Sequence, residues 1–318
     1  MRQKLPSSTP GGRLVAVALA IAGILAVWDP LPVPEKALAR LQPALAKAPP
    51  QVKVVATLYP LAFAAREVAA PGVEVSLLTP VGAEPHDFEL TAAELADLRE
   101  ADLVVYLAGF QPAVDGALEE GHRPSLDVLH LPGVVPVELR SPAGELGEAP
   151  RSWDPHFWLD PQRLAQVASA IAERVGSPAR LAEFQKKLQV LDQELERGLA
   201  GCRRREVLSA HAAFAYLCQR YRLVPLSAAG VDPESELLPR DLQRALAMAR
   251  SAGVRTVFSE TLVPSPTLQA LARELGARIA VLNPVEGLRP EEEQRGEDYF
   301  SVMRQNLAAL REGLECKP

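Results

Sequence analysis

The chain is poor in cysteine, tryptophan and histidine: its 318 residues include three, three and five of them. Three cysteines allow one disulfide and leave one thiol over, and their spacing fits no cysteine-based zinc motif. There is no long run of Lys or Arg, and the formal net charge is −6. The electrostatic footprint that nucleic acid requires is therefore missing, and that class of partner is excluded. The sequence also lacks an HExxH helix and a nucleophile elbow, two common signatures of hydrolases. No short-period repeat is present. What the chain does have is 48% hydrophobic and 23% charged residues, the composition of a globular protein, and its length is read as two domains.

Arg2, Lys4 and Arg13 precede an uninterrupted apolar or small stretch at 14–28, followed by Ala-Leu-Ala at 37–39 and 44–46. This is the layout of a secretory signal, and it predicts a periplasmic or other extracytoplasmic protein. The stretch is shorter than the roughly 20 apolar residues of a spanning helix; a retained N-terminal anchor is the alternative. No Cys lies near its end, which argues against lipid attachment. In an exported chain the cysteines read as a Cys202–Cys316 disulfide, tying the tail to the body, with Cys218 packed as a small hydrophobe.

Patterning divides the chain into a signal peptide and tether (1–50), an N-terminal lobe (51–176), a linking helix (177–201) and a C-terminal lobe (202–318). In the first lobe, strands are expected at 52–58, 73–78 and 101–108, with helices at 62–69 and from the Thr91/Glu94 capping box to Arg99. Ser177-Pro178 opens a helix that carries Leu181, Phe184, Leu188, Leu191, Leu195 and Leu199 on one face and stops at Gly201. At about 1.5 Å per residue it is roughly 34 Å long, enough to run along both lobes as a spine; packing on one lobe only is the other reading. Beyond it come strands at 206–210, 254–260 and 278–283 and helices at 212–221, 239–252, 266–275 and near 292–314. Repeated βα units predict an α/β fold with parallel sheets covered on both faces.

In open α/β sheets, ligands bind beyond the carboxyl ends of the strands. His211 directly follows strand 206–210, Glu260 ends 254–260 and Asn283 ends 278–283; His86 lies in the loop after 73–78, and His156 precedes a helix starting near Pro161. Imidazole is the usual neutral zinc ligand, and three histidines form a known zinc set. Pro85 and Pro155 hold the chain before His86 and His156 extended. Glu84, Asp87, Asp154 and Asp160 flank these histidines, where carboxylates can fix an imidazole tautomer. His122 and His130 lack such surroundings and read as surface residues near the hinge of the first lobe. Trp153, Phe157 and Trp158 read as core.

Six segments in order, GAEPHDFELTAAEL, GFQPAVDGAL, DPHFWLDPQRLAQVASAIAERV, SAHAAFAYLCQRYRL, GVDPESELLPRDL and FSETLVPSPTLQALARELG, resemble the metal-binding solute-binding proteins of zinc and manganese ABC transporters, the cluster A-I type, over about 52–314. The resemblance implies two Rossmann-like lobes with parallel sheets joined by a long rigid helix, and a transported Zn2+ held in the cleft by His86, His156 and His211. It further implies a membrane permease as partner, a monomer and no enzymatic activity. The imidazole at 211 resembles the zinc branch, since the manganese branch usually has a carboxylate there, and nitrogen-rich sites suit zinc. Asn283 stands where the family commonly has Asp, which leaves Glu286, Glu260, Asn283 or water for the fourth position. Glu286 is grouped with the imidazoles, and Glu260 and Asn283 are placed behind them. The His-rich loop of many zinc members is absent, because 140–151 contains no His. The alternatives are a manganese-binding member, a secreted zinc hydrolase with Glu260 or Glu84 as base, and a surface adhesin.

Overall fold

The structure, a computed structural model, describes residues 51–317 apart from 122, 135–136, 139–152, 229, 231–238 and 263–265. The secretory signal and tether read at 1–50 thus lie outside the described residues, as does His122. Among the described residues no helix is long and apolar enough to cross a membrane.

The first half contains β1 (Val52–Ala56), α1 (Tyr59–Val68), β2 (Val73–Leu77), α2 (Ala92–Glu100), β3 (Leu103–Tyr106), α3 (Pro112–Gly121), β4 (Ser125–Asp127), the short antiparallel pair β5 (Val137–Glu138) and β6 (Trp153–Asp154), and α4 (Pro161–Val175). After α5 (Pro178–Ala200) come β7 (Glu206–Ser209), α6 (Ala215–Tyr221), β8 (Val224–Ser227), α7 (Pro239–Ser251), β9 (Thr256–Ser259), α8 (Pro266–Leu275), β10 (Arg278–Val281), α9 (Pro290–Gln294) and α10 (Tyr299–Gly313). The strands form two four-stranded parallel sheets, β2-β1-β3-β4 and β10-β9-β7-β8.

The central strands are apolar on both faces because both faces are covered. In β1, Val54 and Ala56 enter the main core and Val55 enters a separate cluster beneath α2 and α3; in β7, Val207 and Leu208 divide in the same way. The main core runs continuously from Val54 and Val105 of the first sheet through Phe184, Leu188, Leu191, Leu195 and Leu199 of α5 to Val207 and Phe258 of the second. α5 packs against α1 and α4 on one side and α6 and α10 on the other. The long helix is therefore a spine shared by both halves rather than a cover for one.

The differences from the sequence reading have local causes. β4, β8 and α3 were not anticipated: β4 spans three residues with one buried, and β8 is an edge strand containing Pro225, whose missing N–H is tolerated at an edge. The last helix is two, separated where Gly296 takes φ 69° and Asp298 caps α10 through the Ser301 N–H. α6 begins at Ala215 rather than 212, since the chain from 210 to 214 forms the turn that presents His211. Trp153 is 45% exposed, contrary to the core reading, because on the two-residue β6 it faces outward while its neighbour Asp154 is buried; Phe157 and Trp158 are fully buried.

Cys202 and Cys316 form a disulfide, and Cys218 is a buried free thiol. The bridge closes a sequence separation of 114 residues, so replacing both cysteines with serine should lower unfolding free energy by about 2–5 kcal/mol. Urea titrations of the oxidised protein and the double variant measure this difference; superimposable curves would show that the bridge contributes nothing.

Candidate metal centre

Loops from both sheets converge on one point. His86 lies in the segment after β2, where its N–H donates to Glu84 Oε1 at 2.9 Å and its ring packs on Phe110 with centroids 4.3 Å apart. The segment is fastened to the second half by the Gly82 N–H donating to the Leu288 carbonyl at 2.9 Å. Gly82 has φ 82°, and an added Cβ would lie 3.1 Å from Pro290; only glycine suits this crossing.

His156 follows β6 and precedes a single 3-10 turn, Phe157–Leu159, after which Asp160 caps α4 through the Gln162 N–H. Asp154 Oδ1 accepts from both the His156 backbone N–H (2.8 Å) and ring Nδ1 (2.7 Å), while Oδ2 accepts from the Ala215 N–H at the start of α6 (2.9 Å). His211 leaves the end of β7 in a similar setting. Glu260, just after β9, accepts from the His211 N–H at 3.1 Å with one oxygen and from ring Nδ1 with the other.

Glu286 comes from the turn after β10. Asn283 Oδ1 accepts the Val285 N–H at 2.7 Å, and Val285 takes φ 59°, an unfavourable conformation for a β-branched residue that costs roughly 1–3 kcal/mol. Its side chain is fully buried, and the residue after it is Glu286, which is 4% exposed.

Glu286 Oε1 lies 3.1 Å from His86 Nε2, 2.6 Å from His156 Nε2 and 3.6 Å from His211 Nε2; the last two nitrogens are 3.4 Å apart. All four ligand atoms fall within 4.8 Å of one another. A tetrahedral ion with bonds near 2.0 Å requires ligand separations of about 3.3 Å; the four separations above, from 2.6 to 3.6 Å, bracket that value, and none in the cluster exceeds 4.8 Å. Because Nδ1 of His156 and of His211 faces a carboxylate, each ring, once it loses its second proton, keeps the remaining one on Nδ1 and turns the Nε2 lone pair inward.

Burial and hydrogen bonding compete at each group. Burial dominates at His86 and lowers its pKa. Burial is also the largest influence at His156 and works against its charge, but the hydrogen bonds to Asp154 and Glu286 prevail and raise it. The same contest at His211, with Glu260 and Glu286 as partners, ends with its pKa pushed up to about 10. Burial would raise Glu286, yet three imidazole partners hold it well below the usual carboxylate range.

The structure thus brings together His86, His156, His211 and Glu286. Glu260 lies behind His211, and Asn283 serves the turn instead of facing the centre. His130 is exposed beside Asp127, Asp87 is exposed and Asp160 caps a helix, so none of these joins the cluster. Two contributors had no signal of their own in the sequence: Trp158, whose Nε1–H donates to the Pro284 carbonyl at 2.8 Å, and Asn306, which holds Asn283.

Comparison with known proteins gives a consistent result. The family model described as zinc-uptake complex component A, periplasmic (ZnuA), matches residues 54–313. The high-affinity zinc uptake system protein ZnuA of Bacillus subtilis is 29% identical over 283 residues, covering 84% of this chain and 89% of the relative. The zinc-binding lipoprotein AdcA of Streptococcus pneumoniae is 29% identical over 279 residues, and the chain spans 56% of that longer protein. Among solved structures, the Zn(II)-bound ZnuA-like domain of S. pneumoniae AdcA superposes with TM-score 0.68 at 27% identity, covering 83% of this chain and 99% of that one.

A titration consequence follows from the raised imidazoles. A metal needs neutral rings, whereas the hydrogen bonds to Glu260 and Glu286 favour the protonated form of His211 and push its pKa up to about 10, so metal binding is expected to expel protons. Zinc titrations near pH 8, in buffers of different ionisation enthalpy, should show release of about one or two protons per ion, and affinity should fall as pH falls. A heat independent of the buffer would contradict this.

Proposed function

The chain belongs to the zinc-uptake complex component A family, and from that premise we propose that it captures one Zn2+ through His86, His156, His211 and Glu286 and delivers it to the membrane permease of an ABC importer. The observation that carries this reading is the convergence of three imidazole nitrogens and one carboxylate oxygen within 4.8 Å of one another. A donor set of three nitrogens and one oxygen suits zinc, whereas manganese favours more oxygen ligands and octahedral geometry.

Capture for transport fits this site better than catalysis. Four protein ligands complete a tetrahedral shell, while a hydrolytic zinc keeps one position for water. The two candidate bases are also engaged: Glu84 accepts the His86 N–H, and Glu260 accepts two bonds from His211. We take 51–176 and 202–318 as two lobes and 177–201 as their link, with ligands contributed from either side of a cleft. The disulfide suits an oxidising, extracytoplasmic compartment, and we assign the protein there as a monomer.

Purified protein should bind one zinc per chain and prefer zinc to manganese in direct competition. His211→Ala should weaken zinc by more than the roughly 10–100-fold typical of losing an outer partner, with His130→Ala as the unaffected control. Chelator competition measures both variants; equal losses would place the metal elsewhere.

A further inference from the structure

We propose that Asn306, on α10, is a positioning residue for Glu286 and acts through the backbone of Asn283. This inference rests on the reading of Glu286 as a metal ligand. Asn306 is 2% exposed, on a helix face otherwise lined by Tyr299, Met303 and Leu310. A carboxamide in such surroundings must find partners for both its ends. Asn306 Oδ1 accepts the Asn283 N–H at 2.8 Å, and Nδ2 donates to the Asn283 carbonyl at 2.7 Å.

That pair of hydrogen bonds to a single residue reproduces what a neighbouring strand supplies in a ladder. β10 ends at Val281, and the Leu282 N–H makes the final bond to Ser259 of β9. Asn306 takes over at the next residue, where the ladder has ended. Asn283 then uses its own Oδ1 to hold the Val285 N–H, and Trp158 holds the Pro284 carbonyl. With these bonds in place, Val285 stays at φ 59° with its side chain in the core, and Glu286 emerges toward the three imidazoles. Without Asn306, the first fixed point of the turn is lost, and Val285 can relax to negative φ, swinging the carboxylate away. Only an amide satisfies both ends: Asp accepts without donating, and Leu does neither.

The experiment is a double-mutant cycle on the full protein with zinc and cobalt(II) as probes. Glu286→Ala, Asn306→Leu and the double variant are compared with the parent by chelator competition and by the visible spectrum of the cobalt form, which reports coordination geometry. We expect Asn306→Leu to weaken zinc about 10–100-fold, to give a cobalt spectrum like that of Glu286→Ala, and to add nothing further in the Glu286→Ala background. Additive losses, or a parental spectrum and affinity in Asn306→Leu, would overturn the proposal. If Glu286→Ala itself leaves affinity and spectrum unchanged, the ligand assignment beneath the proposal fails instead, a distinguishable result that removes both. Circular dichroism of the metal-free variants checks folding. Should Asn306→Leu not fold, Asn306→Asp, which keeps the acceptor for the Asn283 N–H, goes through the same cycle with a smaller expected loss; parental behaviour there overturns the idea equally.

Discussion

A buried carboxylate facing three imidazole nitrogens is the constraint on which this molecule depends. Taken singly, each of these groups would be costly to withdraw from water. Together they are affordable only when the centre holds positive charge, whether as protons or as a dication. His211 and Glu286 display the balance from opposite sides: the imidazole gains affinity for its proton and the carboxylic acid loses it. A dication at this position would replace protons, so that proton and metal would compete for the same atoms.

The fold serves this centre by placing strand ends, not helices, around it. His211, Glu260 and Glu286 follow β7, β9 and β10, and His86 follows β2; the carboxyl edges of two parallel sheets supply the walls. The halves are knitted together close to the ligands. Trp158 donates to the Pro284 carbonyl, Tyr299 donates to the Trp158 carbonyl at 2.7 Å, and Tyr216 accepts the Val137 N–H at 3.3 Å. Farther out, Asp192 of α5 accepts from Gln162, Arg220 and Tyr221, joining the spine to α4 and α6. Polar bonds of this kind fix geometry more than they add stability, because each replaces bonds to water.

The three histidines were legible because each stands beside a strong local signal: a preceding proline at His86 and His156, and a strand end at His211. Glu260 was legible for the same reason as His211. Glu286 could only be grouped with rival donors, since its direction depends on a left-handed Val285 that no residue preference announces. Asn306 was beyond reach of the sequence: an asparagine in a helix acquires meaning only when the helix docks against the end of β10. At the level of elements, the apolar central strands β1, β3, β7 and β9 and the Leu-rich α5 declared themselves through patterning, while β4, with one buried residue, and β8, interrupted by Pro225, left no such pattern. Trp153 and Trp158 show the same limit, because density of aromatics in sequence did not separate the exposed ring from the buried one.

Hydrogen bonding also determines how the ligands are coupled. Asp154 orients His156 with one oxygen and anchors the first turn of α6 with the other, so the ring is tied to the chain that directly follows His211. Trp158, two residues beyond His156, is tied to the turn that carries Glu286. His156, His211 and Glu286 therefore share one connected frame, and displacing any of them strains bonds that hold the other two. His86 is attached differently, through the Gly82–Leu288 bond and its own contact with Glu286, and at 9% side-chain exposure it is the most accessible of the four. Three members of the cluster are thus linked to one another through the frame behind them, and the fourth, His86, stands at the margin nearest solvent.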